Sequence, residues 1–190
     1  MEAGTVPYPA SLSIDYPEKG NRLTTFFRLI VILPILIIVY LVAKSLTLPI
    51  VLTMLFRKKY PRWWFDWNLN LTRFGFRIYA YILLLAHVYP SLDEHQGVHL
   101  DLSPPDGSQL SRGLPLVKWF LAIPHYVVLY ILGIGVAVVT FLSWFAILFT
   151  GRYPRSFFDF VVGVMRWALR VDAYAFLLTT DRYPPFSLSA

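Results

Sequence analysis

Two short series of residues carry most of the chemistry available to this chain. Asp66, Asn70, Arg73 and Arg77 stand at i, i+4, i+7 and i+11, and Asp159, Gly163, Arg166 and Arg170 repeat that spacing. Positions so spaced share one face of an α-helix, within about 60° at 100° per residue. A helix lying on a membrane surface shows a broader polar face, so a stripe this narrow reads as pointing into a bundle or an aqueous cavity. Its chemistry is ion pairing and anion binding. An arginine inside a membrane costs about 2.5–3.5 kcal/mol on insertion scales, so all four need partners. Two readings stay open: Asp66 and Asp159 pair with the arginines across the two series, or the surplus cations hold an anion, a lipid headgroup or the acidic face of a partner helix.

The two series belong to a longer duplication. Tyr60-Pro61-Arg62, Phe65-Asp66, Arg73 and Arg77 recur as Tyr153-Pro154-Arg155, Phe158-Asp159, Arg166 and Arg170, all displaced by 93 positions. A common displacement over seven positions is not a composition effect.

What must position the stripes is a membrane protein. The chain is 57% hydrophobic, 17% aromatic and only 15% charged, against about a quarter charged in soluble domains. Phe26 to Phe56 carries only Arg28 and Lys44, and Leu114 to Thr150 only Lys118. Each run exceeds the roughly 20 residues a helix needs to cross hydrocarbon. The first twenty residues have no apolar core, so no cleavable signal peptide is expected. The chain contains no cysteine, which excludes disulfides and thiolate metal sites. The formal net charge of +6 does not point to nucleic acid, because the basic residues border apolar segments, where they set topology or meet headgroups.

Leu12, Ile14 and Tyr16 alternate with polar residues, as do Val98, Leu100 and Leu102, and period two predicts two short half-buried strands. Arg22 to Phe56 would make a helix of about 52 Å, longer than a hydrocarbon core of about 30 Å. A short interfacial segment holding Arg22 and Arg28, a bend at Pro34 and then a span resolves the excess. Arg112, Lys118 and Pro124 repeat the plan, and a single long tilted helix is the alternative. The expected fold is an all-α membrane protein of four transmembrane helices from two tandem parallel repeats. Short interfacial helices and a small extracytoplasmic β lobe complete it. Its segments are 1–22 with a strand, 23–92 as repeat 1, 93–112 as an outer connection with a strand, and 113–190 as repeat 2. Arg57, Lys58, Lys59, Arg62, Arg152 and Arg155 fill two tight loops without an acid, which places those loops in the cytoplasm and both termini outside.

Other chemistries find little footing. His95 and His99 have helical ligand spacing, but Gly97 and the strand pattern argue against a helix there. No phosphate-binding glycine loop, Ser-His-Asp set or paired carboxylate site is present, so neither enzyme activity nor a cofactor is expected, beyond a bound phospholipid. The expected role is a non-catalytic accessory or scaffold subunit, with membrane lipids and other membrane subunits or further copies of itself as partners. A transporter, channel or lipid-handling protein with a polar path between the repeats is the alternative.

Gly151-Arg152-Tyr153-Pro154-Arg155, Phe158-Asp159-Phe160, Arg166-Trp167 and Asp181-Arg182-Tyr183-Pro184-Pro185-Phe186 form a pattern that resembles a bacterial membrane family catalogued as domain of unknown function 4389. The first copy, more divergent, lacks the loop glycine. The resemblance implies a multi-pass protein of the bacterial cytoplasmic membrane and brings no established activity.

Overall fold

The computed structural model describes residues 8–18, 25, 27–28, 32, 34–37, 52, 61–92, 96–105, 110–111 and 113–189. Arg22, Lys44, Arg57, Lys58, Lys59, His95 and Arg112 lie outside the described residues, as does most of the expected first span. Among the described residues the chain is mostly helical with one small sheet. Strand β1 (Ala10–Ile14) pairs antiparallel with β2 (Val98–Leu102), Leu12 facing Leu100. Both strands bury every second residue, as the alternation requires.

Four continuous helices follow among the described residues: α1 (Arg62–Ile82), α2 (Leu114–Leu121), α3 (Ile123–Thr150) and α4 (Arg155–Ala175). Helices α1 and α4 each start after an extended proline, Pro61 or Pro154, and each runs 21 residues. The chain breaks at Ala122, one residue before α3 and two before Pro124, as the proline suggests. Gly151 closes α3 in the left-handed conformation with φ 75°, a conformation that costs a side-chain-bearing residue roughly 1–2 kcal/mol. Leu84 (φ 67°) and Leu178 (φ 56°) do adopt it after α1 and α4. Both side chains are buried, and burial of a leucine contributes about 1.5–3 kcal/mol, enough to offset the strain.

Helix α3 runs antiparallel along α4. His125 meets Trp167 near one end, and a Cβ on Gly135 would lie 3.5 Å from Phe160 near the middle. Strand β1 runs along another side of α4, also antiparallel. Tyr8 donates to the Arg170 carbonyl, Arg166 donates to Leu12, and the Tyr16 hydroxyl donates to Tyr153. Eight strand steps cover about 26 Å, and the 17 helix steps between Tyr153 and Arg170 cover about 25 Å. The strand therefore accompanies the helix for nearly its whole length. The expected small two-stranded sheet is present, and it lies along the side of the helices. The leucines and isoleucine on its inner face need an apolar surface to cover, and α1 and α4 supply it.

Three layers result. The outermost is the sheet, whose outward residues Ser11, Ser13, His99 and Asp101 are exposed. Helices α1 and α4 form the middle, and 13 of the 21 residues of α4 are buried. On the far side α3 exposes Val127, Ile131, Ile134, Val138, Phe141 and Phe145. With 28 residues and a mean hydropathy of 2.4 over its most apolar 18-residue window, α3 is the one helix among the described residues long and apolar enough to cross a membrane.

The register can be checked directly. Ser13 faces His99, at a Cα separation of about 5.5 Å for a hydrogen-bonded pair. The double variant Ser13→Cys/His99→Cys should form an intrachain disulfide on mild oxidation, visible as a mobility shift reversed by reductant. Shifting one cysteine to Leu100 should abolish it.

Candidate functional site

The expected stripe does lie on one face of each helix, and that face meets the sheet. Pro9 accepts from Ser103 and Gly97 from Asp15, so the strands' odd rungs bond to each other. The carbonyls of the facing pair Leu12 and Leu100 then point outward from the two open edges. Arg73 Nε donates to Leu100 O at 2.8 Å, and Arg166 Nε donates to Leu12 O at 2.8 Å. The two arginines, 93 positions apart, thus clasp the same rung from opposite edges. Arg73 also pairs with Asp101 at 2.5 Å.

One helical turn onward, Arg77 Nη1 donates to Ser91 O at 2.5 Å, and Arg170 Nη2 donates to Ser189 O. The arginines therefore serve the chain's own carbonyls. Asp66, Asn70 and Asp159 are exposed. Asp159 sits 3.5 Å from Arg155 on its own helix, an exposed pair of the kind that contributes little, and not with Arg166 or Arg170. Arg62, Arg152 and Arg155 are exposed, and the Arg155 guanidinium lies over the Tyr16 ring, 4.5 Å from its centroid.

Arg28 and Lys118, expected to face headgroups, are buried. Arg28 Nη1 donates to Tyr81 O at 2.6 Å and Nη2 lies 3.1 Å from His87 Nδ1. Burial and the adjacent guanidinium lower the His87 pKa, which keeps that nitrogen an acceptor. Lys118 Nζ donates to Thr180 O at 2.6 Å and pairs with Asp181 at 2.7 Å. Burial lowers its pKa, and Asp181 opposes the shift. Arg28 thus reaches the last turn of α1 and the chain after it, and Lys118 of α2 reaches the chain past α4, each at carbonyls near a helix C-terminus.

The described histidines each have separate partners. His125 accepts from Trp167 Nε1 at 3.0 Å, and His99 lies 3.2 Å from Asp15. Among the described residues no group of three or more His, Cys, Asp or Glu side chains could hold a metal ion.

A feature the sequence reading missed lies on the other side of α4. A cavity of about 580 Å³ opens between α1, α3 and α4. In its wall, Leu71, Thr72, Gly75 and Tyr79 of α1 and Leu83 just after it stand 93 residues before Val164, Met165, Ala168 and Asp172 of α4 and Phe176 just after it. Tyr126, Leu129, Gly133 and Val136 of α3 line it too. Asp172 and Tyr126 are the polar exceptions that matter. Among the described residues nothing hydrogen-bonds the Asp172 carboxylate or the buried Tyr126 hydroxyl. The available signal was Asp172 itself, an acid in an apolar run at the place where the first copy has Tyr79.

Residues 115–187 match the family model described as Domain of unknown function (DUF4389). No curated protein and no solved structure matches the chain. The DUF4389 stretch contains α3, α4, Tyr126, Asp172 and the clasping Arg166, whereas β1 and α1 lie outside it.

Arg166→Leu should strand the Leu12 carbonyl at a sheet edge and lower unfolding stability by about 1–3 kcal/mol. Thermal or denaturant unfolding measures this, and Arg73→Leu should behave alike. Asp159→Asn should change stability by less than about 1 kcal/mol.

Proposed function

We propose that this is a non-catalytic, lipid-handling membrane protein that holds one apolar molecule between two duplicated halves. The observation that carries the reading is the chamber between α1, α3 and α4. Its volume of about 580 Å³ falls within the roughly 300–1,000 Å³ of small-molecule sites, and its wall is mainly aliphatic and aromatic. The 93-residue correspondence of its lining supports a chamber made by the duplication. A scaffold role resting on free arginines has less support, because Arg73, Arg77, Arg166 and Arg170 all donate to carbonyls of this chain.

The membrane contact is the exposed apolar face of α3. An arrangement of four spans, with α1 and α4 also crossing, would take β1 along with α4. Ser11, Ser13, His99 and Asp101 would then face hydrocarbon, which does not accommodate lipid-exposed sheet edges. We favour the alternative in which the layers stack parallel to the membrane, α3 seated in one leaflet and the sheet in water.

Two experiments test this. The chain has no native cysteine, so Ser103→Cys and Ser156→Cys, which flank opposite ends of α4, report without background. An impermeant thiol reagent should reach both from one side of sealed vesicles; labelling from opposite sides would restore the four-span arrangement. For the chamber, a neutral alkyl-diazirine should photolabel Val136 and Met165. Gly75→Leu should block it, since a Cβ at Gly75 meets nothing within 4 Å and the side chain would grow into the chamber. Labelling unchanged in that variant would mean that the probe reads surrounding lipid only.

A further inference from the structure

We infer that the chamber selects an amphiphile with a cationic amine head, bound by Asp172 and Tyr126. The inference rests on the lipid-handling reading and adds the chemistry of the head. A buried polar group without a partner costs about 1–3 kcal/mol, more when charged, and the large majority of such groups are satisfied. Here the buried, unpartnered Tyr126 hydroxyl and the half-buried Asp172 carboxylate, on different helices, line one cavity, and Tyr126 lies within electrostatic reach of Asp172.

Among the described residues no cation is paired with Asp172. Arg166 and Arg170, the nearest in sequence, are turned to Leu12 and Ser189 on the sheet side of α4, and Lys118 is paired with Asp181. The Asp172 carboxylate is an acceptor, and the phenol oxygen of Tyr126 can accept as well. A primary ammonium supplies three N–H donors and no acceptor. It can give one to the carboxylate and one to the phenol oxygen while its positive charge offsets the carboxylate. A fatty-acid carboxylate or a phosphate head would instead meet a like charge.

The apolar tail has a matching wall. Leu71, Leu129, Val136, Val164 and Met165 line the same cavity, so one molecule can satisfy both the polar pair and the apolar surface. Tyr79, a phenol, stands 93 positions before Asp172 in α1, so Asp172 is the one carboxylate among the described lining residues. The head therefore has one place to go.

The test is displacement of the neutral alkyl-diazirine from the protein in phosphatidylcholine nanodiscs. Dodecylamine should displace it at a concentration at least about tenfold below that of dodecyl methyl ether, and dodecanoate should be weaker than either. Asp172→Asn, nearly isosteric, should erase the preference for the amine while the neutral probe still binds. Tyr126→Phe should reduce it in part, which keeps the test available if the Asp172 variant fails to fold. Equal potency of amine and ether in the unaltered protein, or a preference that survives Asp172→Asn, would overturn the head assignment and leave the chamber reading intact. Absence of any Gly75→Leu-sensitive labelling would overturn the chamber reading itself.

Discussion

The two hydrogen bonds from Arg73 and Arg166 to the Leu100 and Leu12 carbonyls hold the outer two layers together. A two-stranded sheet is all edge, and each edge presents unpaired backbone groups. Such a sheet is marginal alone. Arginine suits the task because its guanidinium carries several fixed donors and stays charged. A bond from a charged donor contributes about 1.5–3 kcal/mol, and each arginine stem also covers apolar surface on its way to the edge. Once the rung is clasped at both ends, the inner leucines of the strands are pressed onto α1 and α4, and the polar faces of those helices are consumed.

This use of the stripe decides what is left for function. Cations that serve strand and tail carbonyls are not free to hold a headgroup, and Arg28 and Lys118 are similarly committed to Tyr81 and Thr180. The sheet side of α4 is therefore structural. Its opposite side faces the cavity, where among the described residues the buried Tyr126 hydroxyl has no hydrogen-bond partner and Asp172 pairs with no cation. Structure and binding are separated by which face of one helix a residue occupies. Arg170 and Asp172, two positions apart, fall on the two sides.

The layer order also bears on the membrane. Apolar area on α3 and polar residues on the outer face of the sheet sit at opposite ends of one stack, with α4 between and parallel to both. A bilayer sorts such a molecule by its faces.

Much of this was legible in the sequence. Period-two alternation marked both strands, the tight basic loops marked the chain just before α1 and α4, and the break near Pro124 followed from length. The helical spacing put Asp66, Arg73 and Arg77 on one face. These are local properties, fixed by backbone periodicity and by what proline permits. The destination of that face was not legible, because a stripe aimed at a carbonyl 27 residues away in Leu100, or 154 away in Leu12, has the same spacing as one aimed at lipid. Nor was the chamber, since Asp172 and Tyr126 stand 46 positions apart in the chain. They line one cavity only because α3 doubles back along α4. Periodicity tells which residues share a face, and only the packing of several chain segments decides what that face meets.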